Sequence, residues 1–300
     1  LFGTRHLDAT ERHEGMVAAV AFESVVKLVA FLAVGVFVTY GMFGGLSDLF
    51  QQAANHPELA RLLQLDSSRA GTWTALILLS GLAILLLPRQ FQIIVVENVD
   101  EGHLKRAVWL FPLYLVLINL FVLPLALGGM LHFSGQGFNP DTFVLTLPLS
   151  RGAESLALLV FIGGLSAATG MIVVETIALS TMVCNDLVMP LLLRYRWLAL
   201  QGQEDVSGLL LGIRRGAIVL ILLLAYLYFR LAGEAHALVS IGLISFAAVA
   251  QFAPAVVGAL FWPKGSRAGA LVGLAGGFSL WLYTLLLPAF SLVEFKMLPK

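Results

Sequence analysis

Three stretches of this 300-residue chain, 107–131, 237–262 and 268–293, run without one charged side chain. A helix crossing the hydrocarbon core of a bilayer needs about 20 mostly apolar residues, so each run is long enough to span. Four more stretches, 17–42, 72–96, 155–189 and 212–232, qualify with few charges, and the three charge-free runs extend to spans at 107–132, 237–262 and 267–293. The 155–189 stretch is too long for one perpendicular crossing and is expected to tilt or to run on along the interface. The 212–232 stretch is the weakest, because Arg215 and Arg230 bracket it closely. Composition agrees with seven spans. Apolar residues make up 59% and charged ones 12%, about half the ~25% of soluble domains, and the mean hydropathy is +0.92. So little polar surface cannot cover a water-soluble globule. The expected fold is all-α, a polytopic membrane helical bundle in contact with lipid.

Loop charge sets the expected orientation. The side holding 1–16, 89–106, 190–216 and 263–267 carries more Lys and Arg than the other and is taken as cytoplasmic; its cations include Arg5, Arg12, Arg89, Arg194, Arg196, Lys264 and Arg267. Lys+Arg and Asp+Glu balance at 18 each, which gives no reason to expect a nucleic-acid partner. A single cysteine, Cys184, excludes an internal disulfide. No paired-Cys spacing, HExxH, Walker A or GxGxxG run occurs, and the histidines are scattered, so no enzyme, metal site or cofactor is expected. The chain opens at Leu1-Phe2-Gly3, which reads as a helix end, with no signal peptide. It is therefore expected to be an internal piece of a longer protein. Residues 46–66 place apolar positions at helical spacing and read as one amphipathic helix on the outer surface, covering the bundle or acting as an extracellular gate.

Ionisable groups inside lipid are costly, so each is a functional candidate. Glu23 and Lys27 lie four apart in the first span, the acid N-terminal, which favours an ion pair near mid-membrane. The pair either neutralises itself as a structural element or serves substrate or coupling ion. Glu175 has no partner close in sequence. It shares a helix face with Gly164, Ala168 and Met171, small or flexible residues suited to close helix approach. A neighbouring stripe carries Ser166, Thr169, Thr176 and Ser180, whose hydroxyls either face a solute or cation or bond carbonyls of their own helix. Pro88, before Arg89-Gln90, marks either a break at membrane depth or the end of the second span. Gln251 and Pro254 put an amide and a helix breaker inside a charge-free span. Asn119, Pro112 and Pro124 read as packing and kink features.

Several runs resemble the sodium:solute symporter family. They are SFAAVAQFAPAVVG from Ser245 to Gly258, Phe261-Trp262, Arg267-Ala268-Gly269-Ala270, ALSTMVCNDL from Ala178 to Leu187, and Gln90-Phe91-Gln92-Ile93. The opening run from Gly3 to Gly15, continuing through Phe37, resembles most the symporter-like domain at the N-terminus of bacterial sensor histidine kinases. The resemblance implies a LeuT-type inverted repeat. The first span would be the last helix of repeat one, the next five would be repeat two, and the seventh would be accessory. The broken first helix of repeat one, with half of the binding site, would lie outside the chain. The family's sodium-ligating Ser-Thr pair falls on Gly170-Met171, which offer no side-chain oxygen; a one-residue shift would restore only Thr169. The resemblance thus implies a coupling ion, sodium or proton, with usual sodium coupling lost and Glu175 a candidate proton carrier. It further implies a multi-pass protein of the bacterial inner membrane that recognises and transports an amino acid or similar small polar solute. Its partners would be that solute, the lipid bilayer and a cytoplasmic kinase domain in the same chain. A stand-alone symporter and a transport-inactive anchor are the alternatives.

Overall fold

A computed structural model describes residues 14–63, 70–135, 137–194, 207–232 and 238–289. The opening run through His13 and the cations Arg69, Arg196, Lys296 and Lys300 lie outside the described residues. Every regular element is helical, with no strand among the described residues. Six helices are long and apolar enough to cross a membrane: Gly15–Met42, Glu101–His132, Glu154–Leu192, Gly208–Arg230, Val239–Phe261 and Arg267–Ala289. A seventh candidate, Ala70–Leu86 with Pro88–Val96, is bent by 51°. The molecule is a multi-pass membrane helical protein.

The chain divides into two units. The first comprises 12–67 and 97–173. It begins with α1 (Glu14–Val36), which passes into a π turn over Phe37–Met42. Two short helices follow, α2 (Leu46–Asn55) and α3 (Pro57–Leu62). The single helix expected over 46–66 is thus two, and the cause is Pro57: its ring forces His56 into an extended conformation at ψ 119°, as proline does to the residue before it. Leu49, Ala53 and Leu59 are buried against Leu127, so the amphipathic pair covers a neighbouring helix with its apolar face. That neighbour is α7 (Val122–His132), preceded by α6 (Glu101–Asn119). The chain breaks at Leu120-Phe121, where Pro124 has no N–H to offer the Leu120 carbonyl. The core lies between α1, α7, α8 (Phe143–Ser150) and the start of α9 (Glu154–Met182), where Val34, Val38, Phe121, Leu125, Leu147 and Val160 meet. Phe133 stacks on Phe138 and Phe143 with centroids 4.2 and 5.8 Å apart. Gly35 and Gly129 have no side chain because Phe121 and Phe143 occupy those spaces.

Gly45 precedes α2 at φ +108°, a conformation open to glycine at little cost. The turn is held by Asp48, whose carboxylate accepts from the Gly44 N–H at 2.8 Å and from the Gln52 amide at 2.9 Å. These two donors, Gln52 first and Gly44 second, hold the Asp48 carboxyl below its ordinary range. A lowered folded pKa gives stability that is present above the unfolded value, about 3.9, and lost as pH falls through the lowered one. The exchange rate of the Gly44 amide, taken relative to the intrinsic rate of a free peptide at the same pH, is expected to be low at neutral pH and to rise below about pH 4. In Asp48→Asn, which keeps the acceptor without the titration, the acid-side rise should vanish; a wild-type profile in that variant would contradict the assignment.

Among the described residues, the second unit comprises those of 70–96 and 174–289. It holds α4 (Ala70–Leu86), α5 (Pro88–Phe91) with a π turn over Gln92–Val96, and the end of α9. A π turn at Val183–Val188 then leads to α10 (Met189–Arg194) and α11 (Ser207–Ala232). Next come α12 (Leu238–Ala250), α13 (Ala253–Phe261) and α14 (Arg267–Trp281). Helix α12 packs along α4, and α14 returns beside α12 and α13. The return is pinned by the Trp281 indole, which donates to the Ile244 carbonyl at 2.9 Å. Edge-on contacts of Phe278 with Phe252 and Trp281 reinforce it.

Candidate functional site

In the first unit, Glu23 and Lys27 stand one turn apart on α1, with Nζ and Oε1 3.5 Å from each other. Glu23 is only 6% exposed. A buried carboxylate with no counter-charge is destabilising by several kcal/mol (roughly 3–5 when a buried pair loses a partner), and the Lys27 ammonium offsets that. Gly170 on α9 makes room for the carboxylate: a Cβ at 170 would fall on Glu23 Oε2. Two turns earlier, a Cβ on Gly163 would lie 2.9 Å from the Ala30 methyl and 3.6 Å from Lys27 Cα. Gly163 and Gly170 share one helix face, and α1 touches α9 at both. Beside them the Tyr114 hydroxyl donates to the Ser24 carbonyl at 3.2 Å, tying α6 to α1. Lys27 also lines a cleft of about 510 Å³ with Asp141, Thr142, Phe161 and Gly164.

The face carrying Gly164, Ala168 and Met171 is not the packed one. A Cβ on Gly164 would meet nothing within 4 Å, and all three residues are exposed. One residue turns a helix by about 100°, so a step from Gly164 to Gly163 changes the face entirely. The hydroxyl stripe bonds largely within its own helix. Thr169 donates to the Leu165 and Ser166 carbonyls and Ser180 to that of Ile177, while Ser166 is half-buried and Thr176 and Ser180 are buried.

In the second unit, Leu87 is extended at ψ 130° ahead of Pro88. The second stretch is therefore broken at the proline. The break carries Arg89 to Glu175, Nε to Oε2 3.9 Å, with the two side chains 29% and 32% exposed. Glu175 thus has a partner, distant in sequence. Gln90, next on α5, is half-buried. Gln251 lies in the turn after α12: its amide nitrogen donates to the Ala247 carbonyl at 3.0 Å, and its oxygen fills the place of a side chain at Gly277 on α14. Pro254, in the first turn of α13, lines a second cleft with Gln251. Among the described residues, no three His, Cys, Asp or Glu are grouped to hold a metal ion.

Sequence reasoning therefore located Glu23, Lys27, Gly170, Glu175 and Gln251 without the contacts that Gly163, Tyr114, Arg89 and Gly277 supply. The adjacent glycines 163 and 164 were the available signal for the first, and Arg89 after the proline for the third. Comparison with protein-family models, with curated proteins and with solved structures gives no match, so the site stands on its own residues.

Proposed function

We propose that this chain recognises and translocates a small polar solute, an amino acid or one like it, as the membrane input domain of a sensor histidine kinase. The observation that carries the reading is the Glu23 carboxylate, buried in an apolar helix in the gap at Gly170 and paired with the partly exposed Lys27 ammonium. A pure anchor has no use for a charge pair there, since apolar residues of the same volume are as stable or more so. The Lys27 ammonium lines a cleft, where it can meet a solute carboxylate. Breaks at Pro88 and before Ala253 free backbone groups of the kind that line transporter sites. The proposed arrangement is a LeuT-type repeat.

The coupling ion is a proton and Glu175 its carrier. Gly170 and Met171 give sodium no side-chain oxygen, and the space at 170 already holds a carboxylate balanced by Lys27. The chain, reconstituted in liposomes, is expected to accumulate labelled amino acids under an imposed pH gradient. Uptake that rises steeply with external sodium at fixed pH would sink the proton assignment. Beyond Lys300 the reading frame is expected to encode a helix with a phosphoacceptor histidine and a Gly-rich ATP-binding domain in the cytoplasm of a bacterium; a frame that stops after one or two helices makes this a stand-alone symporter.

A further inference from the structure

We infer that the cleft between α13 and α14 holds the phosphodiester headgroup of an anionic phospholipid. The cleft measures about 680 Å³ and is lined by Gln251, Trp262, Lys264 and Arg267, with Gly258 and Gly273 leaving its walls low. Lys264 and Arg267 flank the Gly265-Ser266 turn, and both are exposed. The Ser266 hydroxyl accepts from the Gly269 N–H at 3.0 Å, and among the described residues no carboxylate pairs with either of the rim's two positive charges.

Position selects the occupant. These cations lie where two apolar helices, Val239–Phe261 and Arg267–Ala289, come to their ends. That is the level of lipid headgroups, whereas a solute in transit binds near the midplane. Leu260, Phe261 and Trp262 beside them are 71, 79 and 67% exposed, an apolar and aromatic surface of the kind that sits against acyl chains and headgroups at the interface. A free anion gains nothing from that surface; a phospholipid uses both parts. A zwitterionic lipid would bring its own cation against Lys264 and Arg267, so the headgroup must carry net negative charge. The site stands whether or not the chain transports a solute.

The test uses the purified chain in detergent, with phosphatidylglycerol or phosphatidylcholine as the probe and native mass spectrometry counting retained lipid. Phosphatidylglycerol is expected to be retained over phosphatidylcholine. In the Lys264→Gln, Arg267→Gln double variant its retention should fall roughly twenty-fivefold, taking each cation's attraction to the lipid phosphate as about fivefold in affinity. Both side chains are exposed, and circular dichroism checks that helix content is unchanged. Arg61→Gln, at the end of α3 and outside the cleft, should bind like the wild type. Equal retention by the double variant, equal retention of the two lipids, or displacement of phosphatidylglycerol by the same concentration of inorganic phosphate would each overturn the proposal, the last by making this a site for a free anion.

Discussion

Gly170→Ala is expected to destabilise the protein by displacing the Glu23 carboxylate from its place beside α9. Its Cβ would fall on the Glu23 carboxylate, so the carboxylate must shift and its pairing with Lys27 is disturbed. Two costs combine: forcing an extra methyl into packed space, about 1–3 kcal/mol, and breaking a buried pair, about 3–5 kcal/mol when one charge is left alone. Their sum is an upper bound, because Lys27 is partly exposed, its side chain at 24%, and can reach the cleft. A loss of about 3 kcal/mol is the expected scale, read as a lower unfolding temperature in detergent. Uptake in liposomes should be lost with it. A triple variant, Glu23→Ala, Lys27→Met, Gly170→Ala, removes the clash and both charges together. It should regain the stability and not the uptake, which separates a working pair from a structural one. Gly170→Ala melting with the wild type would mean the carboxylate is not seated there.

Glu175→Gln is expected to do the reverse, leaving stability nearly intact while abolishing proton-driven uptake. Its pairing with Arg89 is long, 3.9 Å, and both side chains are about a third exposed. Such a pair contributes at most about 1 kcal/mol, so lost uptake could not be put down to unfolding. Exchanging the charges, Glu175→Arg with Arg89→Glu, restores the pair but moves the carboxylate to the other helix, and uptake should stay absent. Arg89→Gln keeps the carboxylate in place. It should change the concentration dependence of uptake more than its ceiling. If all of these variants take up solute as the wild type does, Glu175 is not the carrier; if the wild type itself takes up none, the transport-inactive anchor is the right reading.

The spans were legible because hydropathy over some twenty residues is a sum, and sums survive local detail. Runs such as 237–262 and 268–293 state their length directly in uncharged residues. The break at Pro88 was one of two readings the sequence left open, since a proline acts on its own backbone neighbours whatever surrounds it. Pro57 inside the 46–66 stretch was missed, because the amphipathic spacing runs through it, and two helices were read as one. The break at Leu120-Phe121 has its cause at Pro124, a turn downstream, where a missing N–H is easily taken for a mild kink.

Contacts between helices were a different matter. Periodicity places Gly164, Ala168, Met171 and Glu175 on one face, yet it cannot say which face another helix crosses. Gly163 and Gly164 are equally small, and only the crossing of α1 decides that the first is covered and the second bare. Likewise Glu23 and Lys27 declared themselves as a pair by spacing alone. That the carboxylate sits in the gap at Gly170 depends on two segments separated by more than a hundred residues. Arg89 was read as a loop cation because it follows a proline; the bend that turns it toward Glu175 is set by backbone geometry at Leu87.

The most direct measurement is uptake by the chain and its Lys27→Met variant in liposomes, over a panel of labelled amino acids, with an imposed pH gradient and then an imposed sodium gradient. The account predicts that at least one amino acid accumulates under the pH gradient, that sodium adds little, and that Lys27→Met falls to the level of empty liposomes while keeping its helix content. No accumulation by folded wild-type protein, or equal accumulation by Lys27→Met, would contradict it.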